Sequence, residues 1–251
     1  MRNSFFFWLL WICFSGVNAQ KKEHILMVGN SFTFYYNLPI TIEELAKSKG
    51  LNWEIHQSTA SGATLKQHWN SEKGLKTLKK LKRKKYQHII LQEHSTSPVT
   101  ALDSTQKYLN KIIDLTSPAA QKYLYATWKY PKMKTDNGTL KSSIPIEKAL
   151  RSIRSSSKIS ILPVGRAFDL FQKRYPNQSL FSSDQKHPNP IGSYLAACVI
   201  FSQVSGMSSK GFKRRISTKY KKQKEIFFFI VEKQVALQCQ AIADEIVFGN
   251  L

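Results

Sequence analysis

The stretch Ser183-Asp184-Gln185-Lys186-His187-Pro188-Asn189-Pro190-Ile191-Gly192 lies between an apolar segment and a helical pattern near the C-terminus. Pro188 and Pro190 fix their own φ angles and push the residues before them out of the helical region, so this loop is stiff and extended. A stiff loop can direct the Asp184 carboxylate and the His187 imidazole into one cleft. Because a catalytic base must lie within hydrogen-bond reach of its partner, the loop predicts a base that serves a nucleophile from elsewhere in the chain.

Upstream of the loop, short apolar runs alternate with longer amphipathic segments. Strands are predicted at residues 25–28, 53–56, 88–91, 122–128 and 159–163, and helices at 37–49, 64–85, 101–115, 144–155 and 167–174. Downstream, helices are predicted at 191–204 and 224–248, with 207–222 as the least structured part. Strands that alternate with helices indicate a parallel sheet covered on both faces. We therefore expect an α/β fold, a three-layer α/β/α sandwich with a central parallel five-stranded sheet, in one domain over residues 20–251.

The N-terminal segment has the organisation of a secretory signal. Arg2 gives a positive start, an apolar run follows over residues 5–14, and small residues come next. This pattern predicts a signal peptide over residues 1–19 and a secreted or periplasmic mature protein. The apolar run is short for a membrane span, so no stable span is expected after cleavage, and an uncleaved anchor is the alternative.

Two cysteines, Cys198 and Cys239, lie in the predicted mature chain. They could form one disulfide in an oxidising compartment, or remain as two buried thiols in apolar helices. No spacing of cysteine and histidine resembles a zinc site, so no metal is expected.

In an open parallel sheet, ligands bind beyond the carboxyl ends of the strands. The residues that follow the first three predicted strands are polar. Ser31 follows the first strand, Gly62 follows the second with a bare backbone N–H, and Gln92 follows the third with a side-chain amide. Each has a simpler explanation when taken alone, as a cap, a turn glycine or a polar strand end.

Taken together, three stretches resemble the sequence blocks of the SGNH, or GDSL-like, hydrolase family. Gly29-Asn30-Ser31-Phe32-Thr33 is similar to the first block, in its variant with asparagine before the serine. Ser61-Gly62 is similar to the second block, and Asp184-Gln185-Lys186-His187-Pro188 to the last. Their order and spacing agree with the family from about residue 24 to residue 206.

The resemblance implies a flavodoxin-like SGNH hydrolase fold with a catalytic triad. Ser31 would be the nucleophile, His187 its base and Asp184 the group that orients the base. The backbone N–H groups of Ser31 and Gly62 would form an oxyanion hole. Such a site would cleave a carboxylic ester through an acyl-enzyme, with no metal or organic cofactor. The secretory signal and the aromatic residues near the site favour an O-acyl or O-acetyl group on a carbohydrate as the substrate.

The third block departs from the family pattern. The family has Gly-x-Asn-Asp after the third strand, whereas this chain has Leu91-Gln92-Glu93-His94-Ser95. We expect the Gln92 amide to replace the asparagine as the third oxyanion donor, with Glu93 or Ser95 as alternatives. Substrate contacts are expected from four residues: Asn30, Glu93, His94 and Trp128. For Trp128, packing in the core is the simpler role.

The charge of the chain suggests a second kind of partner. The formal net charge is +22, which favours binding to polyanions. Residues 73–85 place lysines around leucines at helical spacing, most simply as a solvated helix face. No nucleic acid is expected, because this run lacks aromatic platforms and the signal argues against an intracellular partner. The alternative function is therefore a catalytically weak or inactive protein of SGNH fold that binds an anionic polysaccharide.

Overall fold

A computed structural model describes residues 21–135, 138–155, 157–220 and 224–249 of the 251-residue chain. The strands are β1 (Glu23–Gly29), β2 (Trp53–Thr59), β3 (His88–Leu91), β4 (Gln121–Tyr125), β5 (Lys134–Thr135), β6 (Gly138–Thr139), β7 (Ile159–Leu162), β8 (Arg215–Tyr220) and β9 (Lys224–Ile230). Five of them form one parallel sheet in the order β2-β1-β3-β4-β7, which confirms the predicted central sheet. The predicted signal segment lies outside the described residues.

The helices are α1 (Ser31–Phe34), α2 (Leu38–Ser48), α3 (Leu65–Trp69), α4 (Thr77–Arg83), α5 (Ser97–Thr100), α6 (Leu102–Ile113), α7 (Ile144–Arg151), α8 (Val164–Arg174), α9 (Pro190–Ser205) and α10 (Lys233–Phe248). The chain passes from β1 outward to β2 and then back across β1 to β3. Right-handed crossovers therefore put α2 on one face of the sheet and α4 and α6 on the other. The helix α9 packs against α2, α8 and α10, which completes a three-layer sandwich. Within the described segments, no helix has the length and apolar character that a membrane crossing needs.

The core lies around β1 and α9. Ile25, Leu26, Met27 and Val28 are fully buried, because β1 is a central strand with helices over both of its faces. Every residue of α9 from Gly192 to Ser202 is also buried, since this helix lies between α2, α8 and α10. A helix that is apolar on all sides is expected in such a position.

The two cysteines are free and buried, in α9 and α10. Of the two alternatives left open by the sequence, the structure therefore has the pair of buried thiols. Burial raises the pKa of both thiols, so neither is a ready thiolate.

The prediction for residues 207–248 is wrong in its first half. Residues 215–220 and 224–230 form the antiparallel hairpin β8–β9, and the last helix begins only at Lys233. The run Ile226-Phe227-Phe228-Phe229-Ile230 is rich in β-branched and aromatic residues, which favour a strand. The Glu232 side chain then accepts from the N–H of Val235 and begins α10. The apolar run by itself does not show where the strand ends, because the periodic pattern that follows it is helical.

Candidate active site

The site lies where the strand order reverses. β1 pairs with β2 on one side and with β3 on the other, and the connections leave β1 and β3 in opposite directions. Such a point opens a crevice beyond the carboxyl ends of the strands. Ser31 is the first residue of α1, one residue after the end of β1, and the intervening Asn30 caps this short helix through the N–H of Phe32. The nucleophile candidate is therefore at the mouth of the sheet.

Gly29 allows the chain to turn from strand into helix at this point. A Cβ on Gly29 would lie 2.3 Å from Thr33 Oγ1 and 2.5 Å from Gln92 Oε1, which is closer than non-bonded atoms approach. The same Gln92 oxygen accepts from the N–H of Asn30 at 2.8 Å and from the Thr33 hydroxyl at 2.9 Å. The turn that carries Ser31 is thus held from below by Gln92, at a distance only glycine permits.

The structure brings together the three side chains expected to form a triad. The Ser31 hydroxyl lies 2.8 Å from His187 Nε2, across 156 residues of chain. On the other side of the ring, His187 Nδ1 lies 2.5 Å from Asp184 Oδ2. If Nδ1 carries the proton and donates it to Asp184, Nε2 is free to accept the proton of Ser31. This is the geometry that a serine nucleophile and its base require.

The loop that carries Asp184 and His187 is held by its own hydrogen bonds. Asp184 Oδ1 accepts from the N–H groups of Lys186 and His187, each at 3.0 Å. The Trp128 indole donates to the carbonyl of Lys186 at 3.1 Å, and Asn189 caps α9 just downstream. Partial desolvation raises the pKa of Asp184, but the hydrogen bonds from His187 and Lys186 outweigh it and lower the pKa to about 2. The carboxylate is therefore ionised at any ordinary pH.

A small cleft opens in front of Ser31. Its volume is about 90 Å³, and it is lined by Asn30, Ser31, Phe32, Ser61, Gly62, His94, Ser95, Lys186 and His187. Gly62 has a φ of +59°, the left-handed conformation that glycine adopts without strain. In the described part of the chain, the backbone N–H groups of Ser31 and Gly62 have no hydrogen-bond acceptor. Both are available to an oxyanion in the cleft.

Two residues of the third block do not face the cleft. Gln92 is fully buried, and its amide nitrogen donates to the carbonyl of Glu93. The expectation that Gln92 is the third oxyanion donor is therefore replaced by a structural role beneath Ser31. Glu93 is also buried and accepts from the N–H groups of Leu65 at 3.1 Å and His94 at 2.6 Å. It supports the start of α3 and does not contact the cleft.

Burial makes the Glu93 carboxyl group a weaker acid than usual. Desolvation raises the pKa of Glu93 to about 7, although its hydrogen bonds to backbone N–H groups act in the opposite direction. The carboxyl group is thus close to half-protonated at neutral pH, beneath a site whose own acid, Asp184, is fully ionised.

Trp128 is not a substrate contact in this structure. Its side chain has no exposed area and stacks between Phe32 at 4.5 Å and Phe168 at 4.2 Å. The simpler role in the core is therefore what the structure has, with an added hydrogen bond to the loop that carries Asp184 and His187. Of the other expected contacts, His94 lines the cleft, and Asn30 lines it while its amide is bonded to the carbonyl of Ala63.

His68 belongs to the site's support, which the sequence did not indicate. The side chain is fully buried; Nε2 lies 3.0 Å from the carbonyl of Gly29, and Nδ1 lies 2.7 Å from the Thr77 hydroxyl. That hydroxyl in turn lies 2.9 Å from Ser58 on β2. Desolvation lowers the pKa of His68 to about 4, so the imidazole is neutral and ties α3, α4 and β2 to the end of β1. A lone histidine in a helical pattern gives no signal for such a role.

One group of possible metal ligands occurs among the described residues, away from Ser31. Atoms of His24, Glu54 and His56 lie within 4.8 Å of one another on β1 and β2. Glu54 also pairs with Lys22 at 3.2 Å and with Lys84 at 3.3 Å. The Lys84 ammonium also lies 2.8 Å from His56 Nε2, so it already supplies a positive charge to these side chains. The cluster is therefore an ion-pair network.

Comparison with known proteins rests on structure. No protein-family model matches the sequence, and no curated protein is significantly similar to it. A DUF4886 family protein from Bacteroides uniformis superimposes with a TM-score of 0.69 and 18% identity, over 92% of this chain and 97% of that one. A provisionally assigned SGNH hydrolase from Slackia heliotrinireducens superimposes with a TM-score of 0.59 and 24% identity, over 73% of this chain and 100% of that one. A family 3 carbohydrate esterase from Clostridium thermocellum superimposes with a TM-score of 0.53 and 13% identity, over 72% of this chain and 94% of that one. The chain thus has the three-layer α/β fold of the SGNH hydrolases, as its sequence blocks predict.

Proposed function

We propose that this protein is a serine esterase that removes a small acyl group, such as acetyl, from a carbohydrate. The observation that carries the proposal is the contact of Ser31 Oγ with His187 Nε2 at 2.8 Å, with Asp184 on the far side of the ring. The fold shared with SGNH hydrolases and a carbohydrate esterase supports it.

The reaction follows from this geometry. Ser31 Oγ attacks the ester carbonyl carbon while His187 Nε2 takes the hydroxyl proton, and Asp184 stabilises the imidazolium. The N–H groups of Ser31 and Gly62 hold the negative oxygen of the tetrahedral intermediate. The bond to the alcohol oxygen then breaks, and this oxygen takes the proton from His187. Water attacks the acyl-enzyme in the same way and releases the acid.

The size of the cleft supports a small acyl group. Pockets for drug-sized ligands occupy roughly 300–1,000 Å³, whereas this cleft occupies about 90 Å³. An acetyl group fits such a space, and the alcohol part of the substrate would then remain outside. Release outside the cell, in the periplasm or the medium, is part of the same proposal, since polymeric carbohydrates are found there.

The test combines labelling and turnover. Wild-type protein should react with a fluorophosphonate at Ser31, located by mass spectrometry, and should hydrolyse para-nitrophenyl acetate and acetylated oligosaccharides. Ser31→Ala should fold normally and lose both reactions, whereas Ser48→Ala on α2 should keep both. Equal turnover by Ser31→Ala and wild type would refute the proposal.

A second candidate function is an inactive protein that binds an anionic polysaccharide. The surface of α4 favours it: Lys79, Lys82 and Arg83 are exposed, and no acidic partner contacts them within the described residues. Binding to polygalacturonate that weakens with salt, without fluorophosphonate labelling, would favour this candidate over the esterase.

A further inference from the structure

Two lysines from different segments of the chain lie at the cleft or beside its wall. Lys73 lies in the 3₁₀ turn Glu72–Gly74, and its ammonium donates to the carbonyl of Ser61 at 3.0 Å. It also lies 4.0 Å from the position of a Cβ built on Gly62. Lys186 comes from the catalytic loop, lines the cleft next to His187, and places its ammonium 5.3 Å from the ring centroid of Tyr130. One positive charge is therefore on the oxyanion side of Ser31, and the other on the side of its base.

Both lysines are attached to backbone that is held in place. The N–H of Lys186 donates to Asp184, and its carbonyl accepts from Trp128. Lys73 has a φ of +52°, a left-handed conformation that costs free energy for a residue with a Cβ. Strained conformations of this kind concentrate at functional sites, where the surrounding structure maintains them.

No acidic side chain among the described residues that line the cleft opposes these charges. Asp184 is bonded to His187, and Glu93 is buried outside the cleft. After burial itself, the charges of Lys186 and Lys73 are the causes that lower the pKa of His94, a residue of the cleft wall. Both ammonium groups are therefore close enough to act on the same residue of the cleft wall.

We propose that Lys73 and Lys186 form an anion-binding subsite, and that the natural substrate is an ester whose alcohol part carries a negative charge. A carboxylate or sulfate on an acidic sugar has this chemistry. The inference rests on the esterase function proposed above. The charge belongs to the alcohol part because the cleft has room only for a small acyl group, and Lys73 is exposed outside the cleft, bonded to Ser61 of its wall.

The net charge of the whole chain acts in the same direction. With +22 overall, the protein attracts anions over a distance, which raises the rate of encounter with an anionic substrate at low salt. Lys73 and Lys186 convert this general attraction into a preference at the reacting ester.

The test uses a matched pair of aryl acetates, meta-acetoxybenzoate and its neutral methyl ester. The measured quantity is the ratio of their kcat/KM values, compared between wild type and variants so that the intrinsic difference in reactivity cancels. Lys73→Ala and Lys186→Ala should each lower this ratio about fivefold, mainly through KM of the anionic ester, and the double variant should lower it further. Lys186→Arg should keep the preference. Lys66→Ala, which removes one exposed charge from α3, should leave the ratio unchanged.

Three results would overturn the subsite. The ratio could stay at its wild-type value in the double variant, or both esters could lose kcat equally, which would make the lysines part of the oxyanion hole. The preference of the wild type could also be insensitive to salt. If wild type hydrolyses neither ester, the proposed esterase function fails and the subsite fails with it, whereas hydrolysis with an unchanged ratio overturns the subsite alone.

Discussion

The imidazole of His187 stacks on the phenol ring of Tyr35, with ring centroids 4.1 Å apart and an angle of 8° between the planes. Phe32 meets the same imidazole edge-on at 5.6 Å. Tyr35 and Phe32 both follow Ser31 within four residues, so the segment that carries the proposed nucleophile also positions the proposed base. Directly after Tyr35, Tyr36 and Asn37 have φ values of +47° and +53°. This strained turn lies between the stacked ring of Tyr35 and the buried side chain of Leu38.

Replacing Tyr35 tests this positioning. Tyr35→Ala should lower kcat by about tenfold to a hundredfold, because the imidazole loses the ring that fixes its plane. Tyr35→Phe keeps the stacked ring and should retain most of the activity. Steady-state kinetics on para-nitrophenyl acetate measures both, with thermal unfolding as the check on folding. An alanine variant as active as the phenylalanine variant would contradict the positioning role.

Asp184→Asn should lower kcat by about 10³–10⁴-fold while the protein stays folded. The asparagine can place its amide NH2 where the carboxylate oxygen accepted from His187 Nδ1, so the tautomer with a free Nε2 is no longer favoured. Since the carboxylate is ionised down to about pH 2, loss of wild-type activity in mild acid cannot come from its protonation. The kcat of purified variant and wild type, together with their melting temperatures, decides the point. A variant within tenfold of wild type would exclude Asp184 from the triad.

Glu93→Gln should change how stability depends on pH. The pKa of Glu93 is about 7 in the folded protein and 4.5 for the free group. As the pH rises through that range, the carboxyl ionises in the unfolded chain before it does in the folded one, so the free energy of unfolding of wild type falls by about 3 kcal/mol. Glutamine keeps an oxygen for the N–H groups of Leu65 and His94 and has no proton to lose. The stability of the variant relative to wild type should therefore increase as the pH rises, as measured by urea unfolding near pH 5 and near pH 8. If the free energies of unfolding of the two proteins changed equally with pH, the raised pKa of the buried carboxyl would be contradicted.

For His68, we expect stability to change with pH in the opposite direction. Its pKa is about 4 in the folded protein and 6.5 when free. Its contribution to the free energy of unfolding is therefore complete above pH 6.5 and falls by about 3 kcal/mol as the pH decreases to about 4. In wild type, the effects of His68 and Glu93 partly cancel between about pH 4.5 and pH 6.5. His68→Gln should remove one side of this balance, leaving a protein that becomes more stable as the pH falls through this range. Urea unfolding over this pH range measures the change. A variant whose free energy of unfolding depends on pH as that of wild type does would contradict a neutral buried imidazole.

Gly29→Ala should destabilise the protein by about 3 kcal/mol or more, because its Cβ would overlap Thr33 Oγ1 and Gln92 Oε1. The adjustment would also move Ser31, so kcat should fall with stability. Gly50→Ala is the matched control: its φ is +79° and a Cβ there meets nothing within 4 Å, so it should cost only about 1–2 kcal/mol. Equal losses in the two variants would refute the close approach at Gly29.

The sequence predicted the sheet well because its signals are local. Residues 25–28 and 88–91 are compact apolar runs, and the segments between strands have helical periodicity and recognisable ends. The hairpin β8–β9 has no such local signal, because its apolar run continues into a helical pattern and the boundary at Glu232 depends on tertiary contacts. Tyr36 and Phe229 make one of these contacts, ring to ring at 5.9 Å.

The amino-acid sequence by itself determined which residues can meet: a serine after the first strand and an Asp-His pair three residues apart on a loop stiffened by two prolines. The tertiary structure alone decided what lies around them. Gln92 and Trp128 have the residue types of an oxyanion donor and a sugar platform, yet both are buried as supports of the site. Lys73 and Lys186 have the residue types of ordinary surface charge, yet Lys186 lines the cleft and Lys73 bonds to Ser61 in its wall. Residue type and spacing limit the chemistry that a side chain can perform, whereas its burial and direction depend on contacts between segments distant in the chain.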